Sequence, residues 1–294
     1  MPVIRLWGMP VRIHLSVVAL VVGLAAVQQA GRGLVLFASI LVHELAHAAW
    51  ARRLGIRVYE VELLPFGGVA HLDEPAMVQP AREVGVALAG PAANGLLAAM
   101  GMALLALQVP AVAAWPVERW TADQLALALF NLLPAFPLDG GRVVRALLVP
   151  RMGFHRASRA VVHLGRWAGT FMAVAGAASY LFVGGGLWAA VMGGFVAYAS
   201  EQERRRLGGL WARYLHRLSE GSPSAVREVR ALAAPAQATL KEVTAYWVPG
   251  RYHLLLLTDG QGRLVGLAEE AAVVRAFMEH GPHCPVGRAA FRRW

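Results

Sequence analysis

Apolar residues fill six long stretches of this 294-residue chain, and arginine-rich segments separate the second from the third and the fourth from the fifth. A helix needs about 20 apolar residues to cross the hydrocarbon core of a bilayer. The six stretches come close to that length, although the last is short and rich in glycine, and they cover residues 13–30, 33–52, 83–107, 121–149, 160–182 and 185–200. The pattern predicts a polytopic α-helical membrane protein with six transmembrane helices.

The arginines predict which ends of these helices face the cytoplasm. Basic residues gather before the first stretch, between the second and third, between the fourth and fifth, and after the sixth. The other connections hold few charges. Because basic loops stay on the cytoplasmic side, we expect a multi-pass protein of the cell membrane with both termini in the cytoplasm. The first stretch resembles a secretory signal, but we expect an uncleaved first helix because further spans follow.

Two soluble segments interrupt or follow this membrane pattern. Tyr59, Val61 and Leu63 alternate with Glu60 and Glu62, which is the period of a half-exposed strand. Pro65 and two glycines then break the pattern, and residues 69–72 return as a second short strand. We therefore predict a small β-hairpin at the membrane surface, with an irregular cytoplasmic loop as the alternative.

The chain changes character after residue 202, which predicts three domains. Residues 1–202 form the six-span domain, and residues 203–222 read as a basic amphipathic linker helix. Residues 223–294 look small and soluble, with a helix, the strand YHLLLLTD, a turn at 259–262, the strand RLVGLA and a helix EEAAVVRAFMEH. A core of that size is thin, so we expect it to dock or to dimerise.

Composition agrees with a membrane protein and argues against nucleic-acid binding. Hydrophobic residues make up 57% of the chain, charged residues 16%, and the mean hydropathy is +0.49. The net charge of +10 comes from arginines that flank apolar stretches, which favours membrane orientation over direct nucleic-acid binding. A single cysteine, Cys284, excludes an intramolecular disulfide.

The sequence LVHELAHAAW places ionisable residues inside the second apolar stretch. His43 and His47 are four residues apart, so both rings lie on one helix face and can share a metal ion. Glu44 lies beside them and can act as a general base without being a ligand. Ionisable residues inside a membrane are costly and usually functional. The pattern predicts a catalytic zinc site.

Catalytic zinc takes three protein ligands and leaves one position open. In NLLPAFPLDGGR, Pro134 and Pro137 must interrupt the helix, and Asp139 follows at the break. We predict Asp139 as the third ligand, with His71 and His163 as alternatives. A transporter with broken helices, or a membrane sensor that depends on zinc, is the alternative function.

Together these motifs resemble those of the site-2 proteases, which are intramembrane zinc metalloproteases. The resemblance rests on HELAH, on N-x-x-P-x-x-P-x-D-G and on Gly-Pro-Ala-Ala-Asn at 90–94. It implies that His43, His47 and Asp139 bind Zn²⁺ and that Glu44 is the catalytic base. It also implies substrate binding by Asn131, Pro65, Phe66 and Gly67, although a helix-packing hydrogen bond is equally open for Asn131.

The whole length looks most like the sporulation branch of that family. The tail resembles a CBS motif, which implies ATP binding, while a homo-oligomerising or docking role is the alternative. The branch implies a membrane-associated protein substrate, a pro-sigma factor, cleaved in regulated intramembrane proteolysis. It also implies inhibitory membrane protein partners and a location in the mother-cell membrane surrounding the forespore.

Overall fold

The computed structural model describes residues 3–6, 9–26, 30–64, 67–73, 79–108, 116–220 and 227–289. They divide into two compact units. The N-terminal unit comprises residues 1–77 and 81–144, and the C-terminal unit comprises residues 78–80 and 145–294.

The N-terminal unit contains most of the long apolar helices and a small sheet. Its strands are β1 (Val3–Leu6), β2 (Met9–Ile13), β3 (Val58–Leu64) and β4 (Gly67–Leu72). Its helices are α1 (Leu15–Ala26), α2 (Ala30–Arg53), α3 (Pro80–Ala106), α4 (Val117–Asn131) and the first part of α5 (Asp139–Met152).

The four strands form one sheet in the order β1-β2-β3-β4. The predicted hairpin is confirmed, because β3 and β4 pair antiparallel with Val61 opposite Ala70. The sequence did not predict β1 and β2, which pair antiparallel with each other. Strand β2 then runs parallel to β3, with Val11 opposite Val61. Strand β3 therefore has a hydrogen-bonded neighbour on each side.

The alternation along β3 separates an apolar face from a polar face. Val61 is fully buried and packs with Ala48 of α2, and Leu63 is buried in a neighbouring cluster with Phe37. On the other face, Glu60 pairs with Arg12 at 3.1 Å, and Glu62 pairs with His71 at 3.3 Å. Burial of the apolar face holds the sheet against α2 and fixes the register of the strands.

By length and composition, two helices among the described residues could cross a membrane, at Gly33–Arg53 and Pro80–Ala106. The first apolar stretch forms the shorter α1. The predicted break in the fourth stretch is confirmed, since α4 ends at Asn131 and α5 begins at Asp139. The total of six membrane spans stays a prediction.

The C-terminal unit begins with the end of α5 and two long helices. These are α6 (Phe154–Val183) and α7 (Leu187–Glu220), which Gly184, Gly185 and Gly186 connect. The helices pack so closely that a Cβ atom on Gly169 would lie 2.8 Å from the carbonyl oxygen of Gly193. Residues 187–220, which belong to the predicted sixth span and the predicted linker helix, form one continuous helix, α7.

A three-stranded sheet follows in the order β5-β6-β7, with β5 (Val229–Pro235), β6 (Tyr252–Thr258) and β7 (Leu264–Glu269). The helices around it are α8 (Leu240–Thr244), α9 (Glu270–His280) and α10 (Val286–Ala289). The two predicted strands and the helix after them are confirmed. The helix expected before them is the short α8, and the alanine-rich residues 229–235 ahead of it form β5, which the sequence did not predict and which pairs parallel with β6. Tertiary pairing overrides local helix propensity there.

The sequence predicts that the small tail docks or dimerises. Within the C-terminal unit, this small sheet contacts the helices that precede it. The backbone N–H of Phe154 donates to the carbonyl of Trp247 at 3.1 Å, and Arg230 donates to the carbonyl of Pro150 at 3.1 Å. The backbone N–H of Gly250 donates to the hydroxyl of Tyr214 at 3.3 Å. These bonds attach the sheet to α5, α6 and α7.

Candidate metal centre

Helix α2 carries the two histidines on one buried face. His43 and His47 are one helical turn apart, and only 5% and 7% of their surfaces are exposed. Their rings meet edge to face, with centroids 4.7 Å apart. The apolar residues around them, including Ala48 and Leu45, form the helix face that packs against the sheet. The periodicity that keeps α2 helical therefore also aligns the two imidazoles.

Asp139 approaches this pair as the first residue of α5. Its Oδ2 atom lies 3.1 Å from Nε2 of His43 and 3.1 Å from Nε2 of His47. The two Nε2 atoms are themselves 3.1 Å apart. The structure thus brings together the three residues that the sequence predicts as ligands, and each offers one atom to a common point.

The other ring nitrogens show that these three atoms are hydrogen-bond acceptors. Nδ1 of His47 lies 2.7 Å from the carbonyl oxygen of Val86, which can only accept, so Nδ1 carries the proton. Nδ1 of His43 lies 2.5 Å from the amide oxygen of Asn94 and donates in the same way. In neutral imidazoles both Nε2 atoms then present lone pairs. Two lone pairs and a carboxylate oxygen at 3.1 Å repel one another unless a metal ion or a proton lies between them.

Gly90 of α3 leaves the space in front of this cluster open. A Cβ atom built on Gly90 would overlap the Nε2 atoms of both His43 and His47. Any side chain at residue 90 would therefore occupy the position where the three ligand atoms converge. Two imidazoles, one carboxylate and an open approach fit a catalytic zinc ion, whose ligands lie about 2 Å from the metal.

Glu44 lies beside the cluster without belonging to it. Gly68 of β4 packs so closely on Glu44 that a Cβ atom at residue 68 would lie 3.0 Å from the carboxyl carbon. The hairpin therefore confines the carboxylate next to the ligands. A carboxylate in this position can exchange a proton with water or with a leaving group.

A line of buried polar side chains continues behind His43. Asn94 donates to Oε1 of Gln124 at 2.6 Å, Gln124 donates to Ser39 at 2.5 Å, and Ser39 donates to the carbonyl of Val35 at 2.9 Å. Gln124 and Ser39 are absent from the sequence predictions. A signal existed for Ser39, because it precedes His43 by four residues and lies on the same face of α2.

The remaining predicted residues lie away from the ligand cluster or outside the described residues. His71 is exposed on β4 and pairs with Glu62, and neither His71 nor His163 belongs to the cluster found among the described residues. The amide of Asn131 donates to the carbonyl of Leu127 in its own helix at 3.0 Å. Pro65 and Phe66 lie outside the described residues, and Gly67 is the first residue of β4.

Comparison with known proteins places this geometry in a family. A family model for peptidase family M50 matches residues 33–122, which include both histidines, Glu44, Gly90 and Asn94. The structure resembles the site-2 protease from Methanocaldococcus jannaschii with a TM-score of 0.54 and 27% identity, over 69% of this chain and 95% of that chain. The chain thus contains a peptidase family M50 (site-2 protease) domain at residues 33–122. The fold is like that of a site-2 protease and mostly helical, and two helices among the described residues are long and apolar enough to cross a membrane.

Two curated relatives extend the comparison. A putative zinc metalloprotease, Rip3 of Mycobacterium tuberculosis, is 40% identical over 186 residues, which is 60% of this chain and 47% of that protein. The chain thus spans about half the length of this relative. Stage IV sporulation protein FB of Bacillus subtilis is 27% identical over 246 residues, which is 81% of each protein.

Proposed function

We propose that this protein is a zinc-dependent endopeptidase that hydrolyses a peptide bond of a membrane-associated protein near the cytoplasmic face. One observation carries the proposal: His43, His47 and Asp139 direct three acceptor atoms to one point, with Glu44 beside them. The family supplies zinc as the metal. The arginine pattern supports a cytoplasmic position for this end of α2.

The chemistry follows from the positions of these side chains. His43, His47 and Asp139 would hold a zinc ion, whose Lewis acidity would polarise a carbonyl group and make water more acidic. Glu44 accepts the proton of the attacking water and returns it to the leaving amine. The hydrogen bonds from His43 and His47 to Asn94 and Val86 keep both Nε2 atoms available to the metal.

The sheet offers a way to hold an unwound substrate segment. Residues 61–63 of β3 are not available to pair with a substrate, because β2 and β4 already flank them. Strand β4 has a neighbour on one side only among the described strands, and its Gly68 contacts Glu44. A substrate that adds a strand to β4 would therefore pass beside the general base. Substrate contacts by Asn131, Pro65, Phe66 and Gly67 stay predictions.

The similarity to stage IV sporulation protein FB supports a finer proposal. We infer that the substrate is a pro-sigma factor cleaved during sporulation, in the mother-cell membrane around the forespore. Inhibitory membrane protein partners belong to the same proposal. ATP binding and homo-oligomerisation through the tail stay predictions.

The decisive experiment compares the wild-type protein with Glu44→Gln in liposomes that contain a panel of membrane-tethered substrates, including a pro-sigma factor. Zinc content is measured in parallel. We expect both proteins to hold zinc and only the wild type to cut. Glu62→Gln is the matched control, because Glu62 lies on the polar face of β3 with His71 as its partner, and it should cut normally. Equal cleavage by wild type and Glu44→Gln would refute the catalytic role, and zinc binding without cleavage of any substrate would favour the transporter or sensor alternative.

A further inference from the structure

The buried polar residues behind His43 form a single chain of hydrogen bonds with a fixed direction. The chain begins at the carbonyl of Val35, which can only accept, so the hydroxyl of Ser39 must donate to it. The oxygen of Ser39 then accepts from the amide nitrogen of Gln124, which leaves Oε1 of Gln124 to accept from Asn94. Asn94 in turn presents its oxygen to Nδ1 of His43.

We propose that Gln124 is a positioning residue that, through Asn94, sets the tautomer and ring orientation of His43 for metal binding. This inference rests on the proposed function of the same centre. If the amide of Asn94 were reversed, its NH₂ group would face Nδ1 of His43, and the proton of the imidazole would move to Nε2. Nε2 could not then bind a metal. Gln124 prevents this reversal because its Oε1 atom needs the NH₂ group of Asn94.

Burial makes this arrangement costly to break. Gln124 and Asn94 are 0% exposed, and Ser39 is 4% exposed. No water competes for an amide in such a position, so each group depends on its protein partner. The chain joins α4, α3 and α2, which are helices far apart in sequence. A single hydrogen-bonded path thus links a polar residue of α4 to the ligand on α2.

The test measures zinc affinity of the full-length protein in detergent by competition with a chelator, together with the absorption spectrum of the Co²⁺-substituted protein. Gln124→Leu should weaken zinc binding about 10-fold or more, the range usual for lost partners of metal ligands. Its Co²⁺ spectrum should change as well, because His43 is no longer held in one orientation. Thr121→Val is the matched control, since Thr121 is a buried residue one turn earlier on α4 that donates only to Val117 in its own helix. This control should bind zinc as the wild type does.

Two further variants separate positioning from general packing. Gln124→Glu keeps the oxygen that accepts from Asn94, so it should restore most of the zinc affinity lost in Gln124→Leu. In an Asn94→Leu background the path is already broken, so adding Gln124→Leu should cause little further loss. Ser39→Ala removes only a hydroxyl group and should weaken zinc binding in the same direction if Gln124→Leu does not fold.

Folded Gln124→Leu or Ser39→Ala protein with wild-type zinc affinity and an unchanged Co²⁺ spectrum would overturn the inference. Equal losses in Gln124→Leu and Thr121→Val would overturn it too, because packing alone would then explain the effect. None of these readouts requires peptide cleavage. A wild-type protein that binds zinc but cuts no substrate therefore counts against the proposed function and leaves this inference standing.

Discussion

Gly90 of α3 lies directly against the Nε2 atom of His47, and a Cβ atom at residue 90 would overlap that nitrogen. The same atom would also overlap Nε2 of His43. A glycine in a helix interior is destabilising by about 0.5–1 kcal/mol relative to alanine. The glycine at residue 90 therefore keeps the space in front of the ligands open, at some cost to the stability of α3.

Gly90→Ala should abolish zinc binding while the protein remains folded. The methyl group would fill the point where the ligands converge, and the helix itself gains from alanine. Gly95→Ala is the matched control, because Gly95 lies on the same helix and a Cβ atom there would have no other atom within 4 Å. Metal analysis and thermal unfolding of both variants decide the matter, and stoichiometric zinc in Gly90→Ala would contradict the assigned metal position.

Gly68→Ala should give the opposite combination, with zinc retained and cleavage lost. Its methyl group would displace the side chain of Glu44, which supplies the three atoms nearest to that position. A displacement of a reacting group by about 1 Å can cost about 100-fold in rate. Val69→Ala, a truncation of an exposed side chain on the same strand, serves as the control and should cut at a rate close to that of wild type. Normal cleavage by Gly68→Ala would mean that β4 does not position the general base.

Proline substitutions in β4 test its role as a docking strand. Backbone N–H groups of successive residues point alternately toward β3 and toward the free edge of β4. Of Val69→Pro and Ala70→Pro, one removes an N–H group that faces the free edge and the other disrupts pairing with β3. We expect the variant that loses the N–H group at the free edge to keep its zinc and its thermal stability but to lose cleavage. Full activity in both variants would exclude strand addition at β4.

The cluster of His43, His47 and Asp139 could be predicted from sequence because its signals are local. His43 and His47 repeat at the period of one helical turn, and Pro134 and Pro137 mark the break before Asp139. The alternation from Tyr59 to Leu63 likewise defines β3 within a few residues. Each of these patterns depends only on backbone geometry along one segment.

The parts that escaped prediction depend on contacts between distant segments. Strand β2 is only five residues long, and it becomes a strand by pairing in parallel with β3 about 50 residues later. Gln124 is one polar residue in an apolar helix, and nothing along α4 reveals that it faces Asn94. The rotation of one helix against another sets such contacts, and a single sequence does not encode that rotation in any simple period.

The C-terminal unit should lose stability in mild acid because of His155, which lies outside the predicted span at 160–182. Burial lowers the pKa of His155 to about 4, and the positive charges of Arg159 and Lys241 add to this effect. Below its ordinary pKa of about 6.5 the unfolded chain binds a proton that the folded chain does not. Stability should therefore fall as the pH drops from about 6.5 toward 4, by about 2 kcal/mol at pH 5.

Thermal unfolding checks the direction and the size of this loss of stability. The wild type, His155→Gln and His163→Gln are compared between pH 7.5 and 5, in steps of about half a pH unit. His163 lies on the same helix but is exposed, so its replacement should leave the acid sensitivity unchanged. His155→Gln removes the titrating group and should flatten the decline in Tm below the ordinary histidine pKa. Parallel curves for wild type and His155→Gln would show that His155 is protonated as readily in the folded protein as in the unfolded chain, and that the burial of its ring against Trp211 does not exclude the charge.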